Sequence, residues 1–193
     1  MSHQILAIAG SPRRRGNSET MLDRVLDGAA EAAPDAEVTK LVMNDLNIRP
    51  CQHCGFCTRK GYCRYAETDD MKIVYRALDR CDRFIIASPI FFANISAQLK
   101  VMIDRCQAIW SRKYDLHRSH ENPDRKALFL CCGGFDRDTF FKCARQVIAA
   151  WCVVLDIKLV GERFYQAIDA KGDIQKHPTA LDEVFESGKQ LMQ

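Results

Sequence analysis

Gln4-Ile5-Leu6-Ala7-Ile8-Ala9-Gly10-Ser11-Pro12-Arg13-Arg14-Arg15-Gly16-Asn17-Ser18 is the stretch on which the fold turns. Gln4–Ala9 is a short apolar run, and Gly10-Ser11-Pro12 stops it, so it reads as a buried strand running into a loop. Asn17 or Ser18 can cap a following helix. Met21, Leu22, Val25, Leu26, Ala29 and Ala30 then recur at helical spacing and give that helix one apolar face, until Pro34 ends it.

The same alternation continues outward from this unit. Glu37–Val42 reads as a second strand, and 44 to about 67 reads as a loop containing Pro50, Gly55 and Gly61. Asp69 or Asp70 caps a helix through about Leu78. Arg83–Ser88 is a buried strand stopped by Pro89. Ser96 caps a helix whose apolar face holds Leu99, Met102, Ile103, Cys106 and Ile109. Lys126–Cys132 is the next strand, followed by a helix from about Asp138 to Leu155, a final strand at Ile157–Gly161 and a closing helix at about Thr179–Met192. Apolar strands alternating with amphipathic helices imply a parallel sheet covered on both faces. His117–Asp124 is polar throughout and is expected to be the most mobile surface segment.

The chain has 193 residues, which favours one domain spanning 1–193 with a cysteine-rich loop at about 48–66. Its 28 basic and 25 acidic residues nearly balance, which argues against a dedicated nucleic-acid binder. The N-terminal apolar run has no basic n-region, and no stretch is long enough to span a bilayer. A cytoplasmic protein without membrane contact is the expectation.

In an open parallel sheet, ligands bind beyond the carboxyl ends of the strands. Three loops qualify: Gly10–Ser18, Pro89–Ser96 and Cys132–Asp138. In the first, a helix N-terminus offers free N–H groups to a phosphate, Ser11, Ser18 and Thr20 add hydroxyls, and Arg13 adds a charge. The loop has neither the Gly-Lys-Ser/Thr of a Walker loop nor a G-x-G-x-x-G, so a mononucleotide suits it better than a nucleoside triphosphate or a dinucleotide. Taken alone, a plain turn with solvated arginines fits equally well.

Ten cysteines are present, and four fall in one segment: Cys51-x2-Cys54-x2-Cys57-x5-Cys63. In a reducing compartment such a cluster points to metal or redox work. Three cysteines at successive spacings of three, with a fourth nearby, suit a 4Fe–4S cluster. Zinc sites more often pair two separated C-x-x-C knuckles. Zinc, and an uncomplexed or disulfide-forming loop, stay open. Arg49, Arg59, Lys60 and Arg64 surround the cysteines and would suit an acidic partner, although a solvated charge run reads the same way. Most of the other six cysteines sit in apolar stretches and read as small buried hydrophobes. His3, His53, His117, His120 and His177 show no triad-like context.

Taken together, the loops resemble the NADPH-dependent FMN reductase family. Ile8–Thr20 is similar to that family's phosphate loop. Ser88–Ile95 (SPIFFANI) is similar to its second flavin loop, Ser96–Arg105 to the helix after it, and Asp69-Asp70-Met71 matches as well. The likeness covers most of the first 110 residues and beyond them weakens to Cys132-Gly133-Gly134. The resemblance implies a flavodoxin-like α/β/α sandwich with a five-stranded parallel sheet, strand order 2-1-3-4-5, and FMN as cofactor. It implies that Ser11, Arg13, Asn17, Ser18 and Thr20 hold the FMN phosphate. Pro89, Ile90, Phe91, Phe92, Ala93 and Asn94 would lie along the isoalloxazine, with Gly133 and Gly134 on its far side. Phe91 stands where relatives carry Tyr, which removes a hydroxyl but keeps an aromatic wall. The cysteine segment resembles that of the iron–sulfur flavoproteins, a branch of the same superfamily, which implies a 4Fe–4S cluster on Cys51, Cys54, Cys57 and Cys63. It also implies a ferredoxin-like or small-molecule redox partner and a homodimer or homotetramer.

The expected function is therefore an FMN-dependent oxidoreductase of the iron–sulfur flavoprotein type, linked to NAD(P)H or to a ferredoxin. An NAD(P)H-dependent FMN or quinone reductase without a cluster, a flavodoxin-like carrier, and a metal-stabilised binding module without flavin are the alternatives. The flavin carries the chemistry in the enzyme readings, so no catalytic acid–base pair is expected.

Overall fold

The computed structural model describes residues 2–193. Five strands, β1 (Gln4–Ala9), β2 (Glu37–Val42), β3 (Arg83–Pro89), β4 (Lys126–Cys132) and β5 (Lys158–Tyr165), form one sheet in the order β2-β1-β3-β4-β5. All four pairings are parallel. The helices are α1 (Asn17–Ala32), α2 (Phe56–Lys60), α3 (Met71–Arg80), α4 (Ala97–Arg105), α5 (Gln107–Tyr114), α6 (Lys142–Val154), α7 (Asp173–Lys176) and α8 (Ala180–Leu191). This is the flavodoxin-like arrangement.

Successive strand side chains point to opposite faces, so each central strand feeds two cores. Leu6, Ile8, Phe84, Ile86, Phe129 and Cys131 join Val74, Leu78, Leu99, Ile148 and Trp151 from α3, α4 and α6 on one face. Ile5, Ala7, Ile85, Ala87, Leu128 and Leu130 join Met21, Leu22, Val25, Val184 and Leu191 from α1 and α8 on the other. Two-sided burial is why β1, β3 and β4 read as continuous apolar runs. β2 and β5 lie at the edges and are half exposed.

Several local expectations are corrected. The N-cap of α1 is Gly16, with no side-chain cap, so neither Asn17 nor Ser18 caps it. The helix read after Ser96 breaks at Cys106 (ψ 2°) into α4 and α5, whose continuous apolar face concealed the turn. A 3-10 turn, Asp138–Phe141, precedes α6. β5 runs on to Tyr165, and a register shift against Ala127/Leu128 absorbs the irregularity beside Gly161. The expected 44–67 loop contains α2. His117–Asp124 is a surface segment without helix or strand, in which His120 N–H donates to Asp156 Oδ2 at 2.9 Å. Five of the six scattered cysteines are buried, and Cys143 is exposed.

Candidate functional site

The strand ladder continues past the carboxyl ends of β1, β3, β4 and β5 and brings their loops together. Gly10 N–H donates to Ala87 O at 2.7 Å, Ile90 N–H to Cys132 O at 2.8 Å, Gly133 N–H to Tyr165 O at 3.1 Å and Ile168 N–H to Gly133 O at 3.0 Å. A second bond set locks β1's loop to β3's. Ser96 Oγ donates to Gly10 O at 2.5 Å and accepts from Leu99 N at 3.3 Å, while Ser96 N–H donates to Ser88 Oγ at 3.2 Å. Ser88 and Ser96 are both fully buried.

Between these loops lies an open cleft. Of the thirteen residues expected at a flavin, Ser11, Arg13, Asn17, Ser18, Pro89, Ile90, Phe91, Gly133 and Gly134 line it. Thr20 does not line it, and its hydroxyl bonds Gly16 O at 3.1 Å in its own helix. Phe92, Ala93 and Asn94 form a turn outside it. Phe91 and Asn94 exchange backbone bonds at 2.8 and 3.0 Å, and Phe92 and Ala93 between them are left-handed at φ 48° and 61°. Two consecutive non-glycine residues there cost about 1–2 kcal/mol each, and the turn holds Phe92 entirely in solvent.

One wall was missed in the sequence. Ile168, Asp169 and Lys171, between β5 and α7, also line the cleft, with Gly16 and Cys132. Asn17 fastens this segment: Nδ2 donates to Ala170 O at 2.9 Å, and Oδ1 accepts from Gly172 N at 2.9 Å. Arg13 Nη1 donates to Asp169 O at 3.1 Å. These bonds span over 150 residues, which no local pattern reveals.

The cleft is polar at one end and apolar at the other. Without a capping side chain, the first N–H groups of α1 have no partner in the helix. Ser11, Ser18, Arg13 and Lys171 surround that end. The loop is braced from behind by buried Glu19, which accepts from Arg15 N at 2.5 Å, Arg14 at 3.2 Å and Lys40 at 3.0 Å. Burial works against the Glu19 carboxylate, but the Arg15 N–H, Lys40 and Arg14 outweigh it and hold its pKa below the usual range. At the other end stand Pro89, Ile90, Phe91 and the glycines. A Cβ at Gly133 would meet Ile90 Cβ at 3.1 Å, and one at Gly134 would meet Asp169 Cβ at 3.0 Å, so side chains there would narrow the slot. Burial pushes the Cys132 thiol up to about 11 despite the Ser18 hydroxyl beside it, so the sulfur is a neutral surface at pH 7.

A second cavity is lined by Cys51, Cys54, Cys57 and Cys63 together with Arg105. Left-handed Gly55 (φ 67°) and Gly61 (φ 72°) bracket α2 and let the chain wrap the cavity. All four thiols are free, with Cys51 and Cys54 exposed. Among the described residues, no three Cys, His, Asp or Glu side chains are drawn together as a metal-ligating set. The thiols share a cavity without closing on a common centre. The loop is pinned at its ends: Arg49 N–H and Arg105 both donate to buried Asp69, at 3.2 and 2.5 Å.

A family model for NADPH-dependent FMN reductase matches residues 3–160. The chain belongs to that family. An iron-sulfur flavoprotein of Methanosarcina thermophila is 31% identical over 188 residues, covering 97% of this chain and 93% of that protein. One from Archaeoglobus fulgidus is 38% identical over 100 residues, 52% of this chain. The chain spans only 44–56% of the length of three such relatives. Among solved structures, the NAD(P)H:quinone oxidoreductase from Methanothermobacter marburgensis superposes with a TM-score of 0.71 at 14% identity, covering 100% of this chain and 98% of that one. An FMN-dependent NADH-azoreductase from Bacillus anthracis in complex with FMN superposes at 0.69 and 14%, covering both chains fully. At such identities these neighbours establish the fold. Among the described residues, no helix is long and apolar enough to cross a membrane.

Proposed function

We propose that this chain is an FMN-dependent oxidoreductase whose cysteine loop holds a 4Fe–4S cluster, as in the iron–sulfur flavoproteins it resembles. The observation that carries the reading is the cleft's asymmetry: free helix amides, two hydroxyls and two cations at one end, and a flat apolar slot at the other. An amphipathic ligand with a phosphate tail and a planar head fits that division.

In this reading the N–H groups of α1, Ser11, Ser18, Arg13 and Lys171 bind the phosphate. Asn17 acts indirectly, by holding the 170–172 backbone in place. Pro89, Ile90 and Phe91 flank the ring system, and Gly133 and Gly134 admit it on the opposite side. Ile168 and Cys132 keep water from the slot. FMN supplies hydride and single-electron chemistry, and a 4Fe–4S cluster supplies one-electron steps. Cys51, Cys54, Cys57 and Cys63 would hold the cluster. Four thiols around one cavity are the donor set it needs. NAD(P)H or a ferredoxin-like protein would donate or accept the electrons. A homodimer or homotetramer belongs to this reading, and the solvent-held Phe92 beside the cleft is the apolar feature available to a second copy.

The exposure of Cys51 and Cys54 favours the second reading, an NAD(P)H-dependent FMN or quinone reductase without a cluster. The absorption spectrum of anaerobically purified protein, with iron and acid-labile sulfide assayed on the same sample, separates the two. Flavin bands over a broad iron–sulfur shoulder are expected, and Cys54→Ser should lose the iron and keep the FMN. Flavin bands alone, with no iron after reconstitution, would leave the reductase.

A further inference from the structure

Arg105 closes α4 and is 3% exposed. An arginine is rarely that buried unless its charge is paired. The pair is Asp69: Nη1 donates to Oδ2 at 2.5 Å and Nη2 to Oδ1 at 3.3 Å, with Nη1 also reaching Arg49 O at 2.8 Å. Two further features lie outside that pair. Nη2 also donates to Cys63 Sγ at 3.5 Å, and the buried Nε has no partner at all.

A neighbouring helix repeats the pattern. Ser111 on α5 is fully buried, and its hydroxyl donates to Cys57 Sγ at 3.6 Å. Two of the four loop thiols therefore each receive a hydrogen bond from a buried donor, one on α4 and one on α5. Donors of this kind are strongest when the sulfur they face is negatively charged, and a low local dielectric enhances that preference.

We propose that Arg105 and Ser111 are positioning residues of the cysteine cavity, holding Cys63 and Cys57 as cluster ligands and raising the reduction potential of the cluster they bind. The inference rests on the cluster reading given under Proposed function. Its physical basis is the charge added on reduction. An incoming electron increases the negative charge on the ligand sulfurs, so a fixed donor stabilises the reduced state more than the oxidised one. Hydrogen bonds to the sulfurs and net charge are established controls on such potentials. Arg105 contributes a cation, tempered by Asp69, whereas Ser111 contributes only a dipole. The effect of Arg105 should therefore be the larger.

The test uses the full chain, reconstituted anaerobically with iron and sulfide, as wild type, Arg105→Gln, Arg105→Lys and Ser111→Ala. Iron, sulfide and FMN are assayed, and the midpoint potential of the cluster is measured by spectroelectrochemistry with EPR of the reduced state. Wild-type FMN content with a midpoint moved to more negative potential is expected in every variant, most in Arg105→Gln and less in Arg105→Lys and Ser111→Ala. Should Arg105→Gln fail to fold, Ser111→Ala, which removes one oxygen from a helix, decides the matter. Variants with wild-type iron content, midpoint and EPR spectrum overturn the proposal, because a purely structural ion pair would not move the potential. A wild type that takes up no iron and sulfide overturns both this inference and the cluster reading, whereas a loaded wild type with unmoved variants overturns this one alone.

Discussion

Replacing Ser96 by Ala should destabilise the fold by removing two buried hydrogen bonds beside the cleft. Its hydroxyl accepts from Leu99 N at 3.3 Å, capping α4, and donates to Gly10 O at 2.5 Å, joining β1's loop to β3's. Loss of a serine cap costs about 0.5–2 kcal/mol. Leaving a buried acceptor unpaired costs about 1–3 kcal/mol. Ser96 is fully buried, so water cannot replace either bond. The sum is about 3 kcal/mol, within a range of about 1.5–5 kcal/mol. For a chain of this size that lowers the Tm by about 6–12 °C.

The assay is urea unfolding at equilibrium, with Ser187→Ala as the matched control. Ser187 is also buried, but its hydroxyl donates only to Glu183 O, at 2.7 Å within α8. Back-bonding of that kind adds little to a helix and Ala is the better helix former, so that variant should stay within about 0.5 kcal/mol of wild type. Because Ser96 ties together two walls of the cleft, Ser96→Ala should also bind FMN less tightly, as read by quenching of flavin fluorescence. If the two serine variants unfold at the same urea concentration with unchanged m, the account of Ser96 as the tie between the loops is wrong.

Arg13→Ala removes a charge-assisted bond worth about 1.5–3 kcal/mol, which corresponds to a Kd for FMN weaker by about 10- to 150-fold; calorimetric titration giving the wild-type Kd would remove Arg13 from the site. Burial raises the Asp69 pKa, but the Arg105 hydrogen bond and the Met71 and Arg49 N–H groups outweigh it and leave the native value depressed. The stabilisation is therefore complete above the unfolded value of about 3.9 and is lost as pH falls through the lower native value. The stability gap between wild type and Asp69→Asn should be wide at pH 7 and close in acid, and urea midpoints measured against pH check this. In iron-free reduced protein, brief alkylation at pH 8 should label exposed Cys51, Cys54 and Cys143 first. Cys132, pushed up to about 11 by burial, should stay unmodified until the chain unfolds, as read by peptide mass spectrometry.

The order of strands and helices was legible because burial on both faces writes itself locally: Gln4–Ala9, Arg83–Ser88 and Lys126–Cys132 are apolar except at their ends, Gln4, Arg83, Ser88 and Lys126. The edges were harder to place. In β5, Gly161-Glu162-Arg163 looks like the end of a strand, yet an edge strand tolerates polar residues, and pairing with β4 carries it on to Tyr165. The Gly10–Ser18 and Pro89–Ser96 loops were found because each follows a buried strand directly. The Ile168–Lys171 wall was invisible because it has no period of its own and is placed by Asn17 and Arg13 from the far end of the chain.

The cysteine loop divides in the same way. Its spacing is a local property and named the four thiols, but the groups that touch their sulfurs come from α4 and α5, 42 residues beyond Cys63 and 54 beyond Cys57. In the sequence Arg105 sits among polar residues on what reads as a solvated helix face, beside Lys100 and Asp104, and those two do form an exposed pair at 2.7 Å. Arg105 instead turns inward to a partner 36 residues earlier in the chain, the buried Asp69. That pairing, which no local pattern reveals, is what holds a buried cation beside Cys63.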